Sequence, residues 1–467
     1  MSDLVARVRE LLPDVRRDLE ALVRIESVWS DPARRDEVHR SADAVAALLR
    51  DAGFASVEIV SEGGAPAVIA HHPAPAGAPT VLLYAHHDVQ PEGDSAQWDS
   101  PPFTPTERDG RLYGRGTADD KAGIATHLAA FRAHDGSPPV GVTVFVEGEE
   151  ECGSPSLSAL LAAHKHKLAA DVIVIADSDN FSVDVPALTV SLRGLVDCVV
   201  EVTTLDHGLH SGIWGGVVPD ALTALIRLLA TLHDDEGNVA VAGVHEAKAA
   251  AVDRGAHWVR VESGLLDGVS EIGSGTVAQR LWAKSAITVI GIDTTPIAKA
   301  SNTLIPSAKA KVSMRVAPGG DAAAHLEALR HHLEEHAPWG AQVTVTEGDV
   351  GQPYALAATG AVYDAARAAF RQAWGVDAVD MGMGGSIPFI AEFAEAFPNA
   401  TILVTGVEDP GTQAHSVNES LHLGVLERAA VTEALLLGML RDAGVTSRGS
   451  SPDRSDNRRR GWRCGRG

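Results

Sequence analysis

The chain has 467 residues, 45% hydrophobic and 22% charged, with a formal net charge of −23. That length suits two packed cores in a soluble globular protein, and the acidity argues against a nucleic-acid partner or an anionic membrane surface. No apolar run reaches the roughly 18 residues of a membrane span, the first residues (Ser2, Asp3, Arg7, Arg9) do not read as a signal peptide, and Cys152, Cys198 and Cys464 give no disulfide framework, so a cytoplasmic enzyme is expected.

Leu4, Val8, Leu11, Val15, Leu19 and Leu22 recur at helical spacing and predict an amphipathic first helix. A second runs through Val38, Ala42, Val45 and Leu49 and ends near Gly53. From there to about residue 187 strands alternate with helices, which is the pattern of an α/β layer. Segment 74–79 reads as an exposed turn and the Pro- and Gly-rich segment 98–117 as a loop. Leu188–Val202 reads as one long strand and Pro219–Leu232 as a helix with proline in its first turn. Lys309–Val316 and Gln342–Thr346 alternate as strands around a helix at Ala322–His336, while 233–300 shows little pattern. Helix Val362–Ala373 and a strand at 401–404 resume the first layer. The fold class is therefore α/β: a first domain with a mainly parallel sheet flanked by helices, formed by 1–187 and 351–446, with a second, smaller α/β domain, 188–350, inserted. Residues 447–467 carry Arg448, Arg454, Arg458, Arg459, Arg460, Arg463 and Arg466 and almost nothing apolar, and read as a disordered tail.

Four short apolar runs lead into metal-ligand side chains. Thr80–Tyr84 runs into His86, His87 and Asp88; Val142–Val146 into Glu147, Glu149, Glu150 and Glu151; Val172–Ala176 into Asp177; and Thr401–Val404 leads within a dozen residues to His415. Continuous β-branched runs read as strands buried on both faces of a parallel sheet, and ligands gather beyond the carboxyl ends of such strands. A fifth segment, Gly114-Arg-Gly-Thr-Ala-Asp-Asp-Lys-Ala-Gly123, adds Asp119 and Asp120. His86 and Asp88 lie two apart, on one side of a strand end, as a ligand and a carboxylate behind it would. A carboxylate such as Asp119 has two oxygens and can join two cations. Adjacent glutamates can face different ways, one onto metal and one onto water.

Taken together, the His-His-Asp-Val-Gln-Pro, Leu-Tyr-Gly-Arg-Gly-x-x-Asp-Asp-Lys and Glu-Gly-x-Glu-Glu-x-Gly-Ser segments resemble the M20 metallopeptidases, within them the dipeptidase branch that includes carnosinase-like and cytosolic non-specific dipeptidases. Leu209-His-Ser-Gly212, Asn302-Thr-Leu-Ile-Pro306, Gly384-Gly-Ser-Ile-Pro388 and Ala414-His-Ser-Val-Asn-Glu419 extend the likeness over residues 1–446. The resemblance implies hydrolysis of the peptide bond of dipeptides by a water between two divalent ions, Zn²⁺ first and Mn²⁺ second. It implies that His86 and Asp177 hold one ion, Glu151 and His415 the other, and Asp119 both, with a cis Asp119–Asp120 bond. Asp88 would fix the His86 tautomer and Glu150 would be the general base. The resemblance also makes 1–187 and 351–446 the catalytic domain and 188–350 an inserted lid and dimerisation domain, from which His210 would stabilise the oxyanion across a homodimer interface, Asn302 and Thr303 would close on the substrate and Arg315 would clamp its carboxylate, with Ser386 facing it from the Gly-Gly-Ser-Ile-Pro turn. An N-acyl-amino-acid amidohydrolase, deacetylase or carboxypeptidase of the same superfamily is the alternative. A metal-free binding protein is a remote one, since every ligand and the base are present. Three positions depart from the pattern: Cys152 where serine is frequent, Gly208 in place of aspartate, and Gly382-Met383 in place of a polar pair.

Overall fold

The structure is a computed structural model that describes residues 2–248, 251–384 and 388–444. Two expectations, Ser386 and the arginine-rich segment 447–467, lie outside the described residues.

The central sheet has six strands in the order Ser56–Val60, Ala67–His72, Gly141–Glu147, Thr80–His86, Val172–Ile175 and Thr401–Val404. The last four run parallel, and Ala67–His72 runs antiparallel to both of its neighbours. Alternation along each strand explains why the apolar runs are unbroken. Val81, Leu83, Val144 and Val174 join the core beneath the helices Ser2–Val23, Arg35–Ala52, Lys121–Ala133 and Leu423–Leu440. Leu82, Tyr84, Phe145 and Ile173 face the opposite way, onto Leu157, Leu160, Phe389 and Phe393. Both faces are dry, so both sets of side chains must be apolar. Because the strands are parallel, His86, Glu147 and the residues following Ile175 and Val404 emerge on one rim.

The second sheet is antiparallel, in the order Ala286–Asp293, Ser307–Val316, Gly194–Thr203 and Gln342–Gly351. Val196, Val200, Val312 and Met314 pack with Leu225 and Leu228 of helix Ala221–Ala230 and Leu326 and Leu329 of helix Ala322–Glu335. One face is buried and the other is not, which is why Ser307–Val316 alternates.

Three sequence expectations change here. The single strand 188–202 is two strands meeting at Arg193: Ala187–Leu192 pairs with Val379–Met383 and Tyr354–Ala355, whereas Gly194–Thr203 belongs to the second sheet. The chain crosses another backbone at the junction, since a Cβ on Gly194 would lie 2.5 Å from the Gly351 carbonyl oxygen. The helix expected from Pro219 starts at Ala221. Asp220 caps it, its Oδ1 accepting from Thr223 N–H at 2.9 Å, and Pro219 stands outside. The stretch 233–300 holds a helix at Ala256–Ser263, a π turn at Gln279–Ala283 and the edge strand Ala286–Asp293. A register shift between Val289 and Gly291 breaks the alternation of that strand. Segment 98–117 also contains a small hairpin, Thr106–Arg108 with Arg111–Tyr113.

Candidate metal centre

His86 is the last residue of its strand, fully buried, with both ring nitrogens engaged. Nδ1 lies 3.1 Å from the Asp88 carbonyl oxygen and 3.4 Å from Asp88 Oδ1, so it is the protonated nitrogen. Nε2 points into the site, 3.1 Å from Asp119 Oδ1, 3.9 Å from Glu150 Oε2 and 4.0 Å from Asp177 Oδ2. On the other side, His415 Nε2 lies 2.9 Å from Asp119 Oδ2 and 3.1 Å from Glu151 Oε2. Each oxygen of Asp119 thus addresses a different histidine. His86 with Glu150 and Asp177, and His86 with Asp119 and Glu151, each bring three ligand atoms within 4.8 Å of one another.

The neighbouring residues of each motif are turned elsewhere. His87 lies with Nε2 2.9 Å from the Pro66 carbonyl oxygen, and burial pulls its pKa down to about 4. Asp120 accepts from the His86 backbone N–H at 3.2 Å across the expected cis Asp119–Asp120 bond. A Cβ on Gly123 would lie 2.5 Å from its carboxylate. Lys121 donates to the carbonyls of Leu22 and Ile25 and fastens the end of the first helix. Glu147 accepts from the Tyr84 hydroxyl at 2.8 Å, and Glu149 accepts from the backbone N–H groups of Ala65 and Ser156. Only Glu150 and Glu151 of the four glutamates face the site.

Two carboxylates hold the geometry. Asp88 accepts from the backbone N–H groups of Glu150 at 3.2 Å and Glu151 at 3.1 Å, which are free donors at the start of a 3₁₀ turn. It therefore orients His86 and both glutamates together. Glu419 accepts from Arg115 Nη1 at 2.7 Å and from the backbone N–H groups of Gly116, Ala118 and Asp119 at 3.0–3.2 Å. It fixes the loop that presents Asp119. The motif containing Glu419 was legible in the sequence, but its role was not. The same is true of Gln90, whose backbone N–H and side-chain amide donate to the two Glu151 oxygens.

The electrostatics require positive charge. Burial, reinforced by neighbouring carboxylates, raises Glu150 and Glu151 and pushes Asp177 up to about 7. Asp119, although buried, is held low by hydrogen bonds from His415 and His86, while hydrogen bonds to Asp119 and Glu151 push His415 up to about 11. Four carboxylates crowded around two imidazoles form an oxygen-and-nitrogen donor set that fits divalent cations.

The profile of peptidase family M20/M25/M40 matches residues 82–438. The chain belongs to that family. Among curated relatives, it is 35% identical to the cysteinylglycine-S-conjugate dipeptidase of Corynebacterium striatum over 90% of this chain and 93% of that one. It is 30% identical to the Beta-Ala-His dipeptidase of Rattus norvegicus, over 85% and 86%. Among solved structures, the dipeptidase Dug1p of Saccharomyces cerevisiae superposes with a TM-score of 0.77 at 23% identity, covering 94% of this chain and 98% of that one. Family membership brings with it a requirement for divalent metal ions, which the donor set meets.

The remaining expected site residues lie apart from this cluster. His210 pairs with Thr303 in a two-stranded ribbon, and Ser211 N–H donates to the Asn302 carbonyl, so His210, Asn302 and Thr303 share one exposed edge. Among the described residues no hydrogen bond or ion pair joins them to the His86 cluster. Arg315 is half-buried on strand Ser307–Val316, opposite Leu195. The departures have local causes. A Cβ at 208 would lie 3.1 Å from Thr303 Cγ2, and one at 382 would lie 2.5 Å from Trp282 Cβ of the π turn. Cys152 is exposed as a residue, yet partial desolvation of its thiol together with the nearby acids raises it to about 11, which makes it a poor nucleophile.

Glu419→Gln tests the scaffold. Arg115 and Glu419 are 2% and 0% exposed, so the change leaves a buried guanidinium without its counter-charge. Equilibrium denaturation should show a loss of about 3–5 kcal/mol. A loss below about 1 kcal/mol would put the pair outside the structural core of the loop.

Proposed function

We propose that this chain is a dinuclear metallodipeptidase. The observation that carries the reading is the placement of the two Asp119 oxygens, 3.1 Å from His86 Nε2 and 2.9 Å from His415 Nε2, because a dinuclear site needs one carboxylate reaching two positions. His86 and Asp177 would hold one ion, Glu151 and His415 the other, and Asp119 both. Zn²⁺ is the first choice and Mn²⁺ the second. Such ions supply Lewis-acid polarisation of the scissile carbonyl and acidify water. The protein's own groups do the rest. Glu150 is the carboxylate left over once the ligands are assigned; it takes a proton from the attacking water and returns it to the leaving amine. Asp88 keeps Nδ1 of His86 protonated, so that Nε2 presents a lone pair. Arg315 reads the free carboxylate of the substrate through a guanidinium fork, and Ser386, which lies outside the described residues, keeps the substrate-binding role that the resemblance implies.

His210, Asn302 and Thr303 complete the site from the partner of a homodimer. Their shared edge supports this, as does the apolar surface beside it: Ile213 is 71% exposed and Val217 81%. In this arrangement 1–187 and 351–446 form the catalytic domain and 188–350 the lid. No helix of the described residues is long and apolar enough to cross a membrane, and a cytoplasmic location belongs to the same reading.

A substrate panel tests it. Cysteinylglycine and β-alanylhistidine should be cleaved, chelation should abolish cleavage, and added Zn²⁺ or Mn²⁺ should restore it. Cleavage confined to N-acetyl amino acids would favour the amidohydrolase alternative. Arg315→Ala should cost about 2–5 kcal/mol in kcat/KM on free dipeptides and far less on their C-terminal amides. An equal loss on both would remove Arg315 from carboxylate recognition.

A further inference from the structure

His127 lies in the middle of helix Lys121–Ala133, 1% exposed, and the reading above gives it no part. Its Nε2 is 3.0 Å from the Tyr84 carbonyl oxygen, which accepts a second bond from the Ala176 N–H at 3.1 Å. A carbonyl only accepts, so Nε2 carries a proton. Nδ1 stands 2.9 Å from each oxygen of Glu433, a residue 4% exposed on helix Leu423–Leu440. Burial works against a charge on this ring, but the Glu433 carboxylate outweighs it and raises His127 above the ordinary imidazole value. The core thus holds an imidazolium paired with a carboxylate on one side and gripping a strand end on the other.

The Tyr84 carbonyl marks a fork. The pairing of strands Thr80–His86 and Val172–Ile175 ends with Tyr84 opposite Ile175, and the Ala176 bond closes it. His86 stands two residues beyond Tyr84. Asp177 stands one beyond Ala176, with its Oδ2 4.0 Å from His86 Nε2. Helix Lys121–Ala133 itself begins directly after Asp119 and Asp120. One ring therefore joins the three backbone segments that carry His86, Asp177 and Asp119. A cavity of about 20 Å³, room for a single water, is lined by Ala176, Thr405 and Glu433, so the fork has space to shift once the ring is gone.

Resting on the ligand assignment above, we infer that His127 is a positioning residue, which sets the spacing of His86 and Asp177 through the Tyr84 carbonyl. The ring touches no reacting atom. Its bond to Tyr84 fixes where the two strands part, and Glu433 holds the ring in the orientation that makes this bond. Glu151 and His415 arrive on other segments and do not depend on the fork.

The test uses the full chain carrying His415→Ala, which leaves one ion, on the His86 side. Zn²⁺ affinity is measured by chelator competition and stability by equilibrium denaturation. Glutamine places its amide nitrogen where Nε2 stands and keeps the bond to Tyr84, whereas asparagine places its own where Nδ1 stands and loses that bond. Both are neutral, so both forfeit the ion pair and should lose comparable stability. His127→Asn should weaken Zn²⁺ about 10- to 100-fold, the usual cost of removing a group that orients a ligand, and His127→Gln less than about threefold. Glu433→Gln removes the counter-charge but keeps the Tyr84 bond. It should hold its ion within about threefold, and it reports even where His127→Asn does not fold. Equal weakening in His127→Asn and His127→Gln would make the ion pair, not the fork, the element that matters. That result overturns the inference, as does an unchanged affinity in His127→Asn or loss of the ion in Glu433→Gln. A His415→Ala parent that binds no Zn²⁺ would overturn the ligand assignment itself, and the inference with it.

Discussion

Glu150→Gln should abolish turnover while leaving the metal content of the protein unchanged, and Glu151→Gln should lose metal as well as activity. The two side chains are adjacent in sequence and both backbone N–H groups rest on Asp88, yet their carboxylates serve different neighbours. Glu151 Oε2 is 3.1 Å from His415 and is fixed by Gln90, whereas Glu150 Oε2 is 3.9 Å from His86 and has no such clamp among the described residues. Glutamine is nearly isosteric but cannot take a proton, and loss of a general base costs about 10²–10⁴ in rate. Metal analysis of both variants beside their kcat values decides the matter. Because Glu150 also lies within ligand distance of His86 and Asp177, metal loss in Glu150→Gln equal to that in Glu151→Gln would make it a ligand instead of the base.

His210→Ala should lower turnover by about 10²–10³, the usual cost of losing one oxyanion donor. It should also be rescued by a chain that is itself inactive. The histidine sits on an exposed ribbon with Nδ1 accepting from Gly212 N–H at 3.0 Å, so Nε2 carries the proton and is free to donate outward. Among the described residues no hydrogen bond or ion pair ties it to the His86 cluster. Mixing His210→Ala with Glu150→Gln gives a heterodimer in which one site has both groups intact, so up to half of the heterodimer's sites should recover. Absence of recovery, with subunit exchange demonstrated by mass spectrometry, would place His210 outside the partner's site.

The parallel strands and the ligand cluster were legible because both rest on local signals. Runs such as Val142–Val146 can only be dry on both sides, and the histidines and carboxylates that the structure brings together follow directly at their ends. Less legible were features set by distant backbone. Nothing in the residues 188–202 shows that Gly194 must pass beneath Gly351, which is what divides the strand. The bulge at Ile290 scrambles the alternation that would have revealed Ala286–Asp293. Pro219 misled because proline commonly opens a helix, whereas here Asp220 caps it. Glu419 was visible as part of a motif, but its four donors come from some 300 residues away.

The two histidines differ in one respect that bears on how the protein keeps its ions. His86 is sealed, 0% exposed, at the end of a central strand, while the His415 side chain is 58% exposed on a loop residue with φ of +61°. Ligand exchange at an open loop is faster than at a sealed strand end, because a loop opens without disturbing a core. If the two positions hold ions as proposed, the His415 side would exchange with the pool of free ions more readily than the His86 side. Dialysed protein should hold closer to one equivalent of metal than two, and its activity should rise with the concentration of added ion. On that reading the supply of metal in the medium would set the rate of the enzyme.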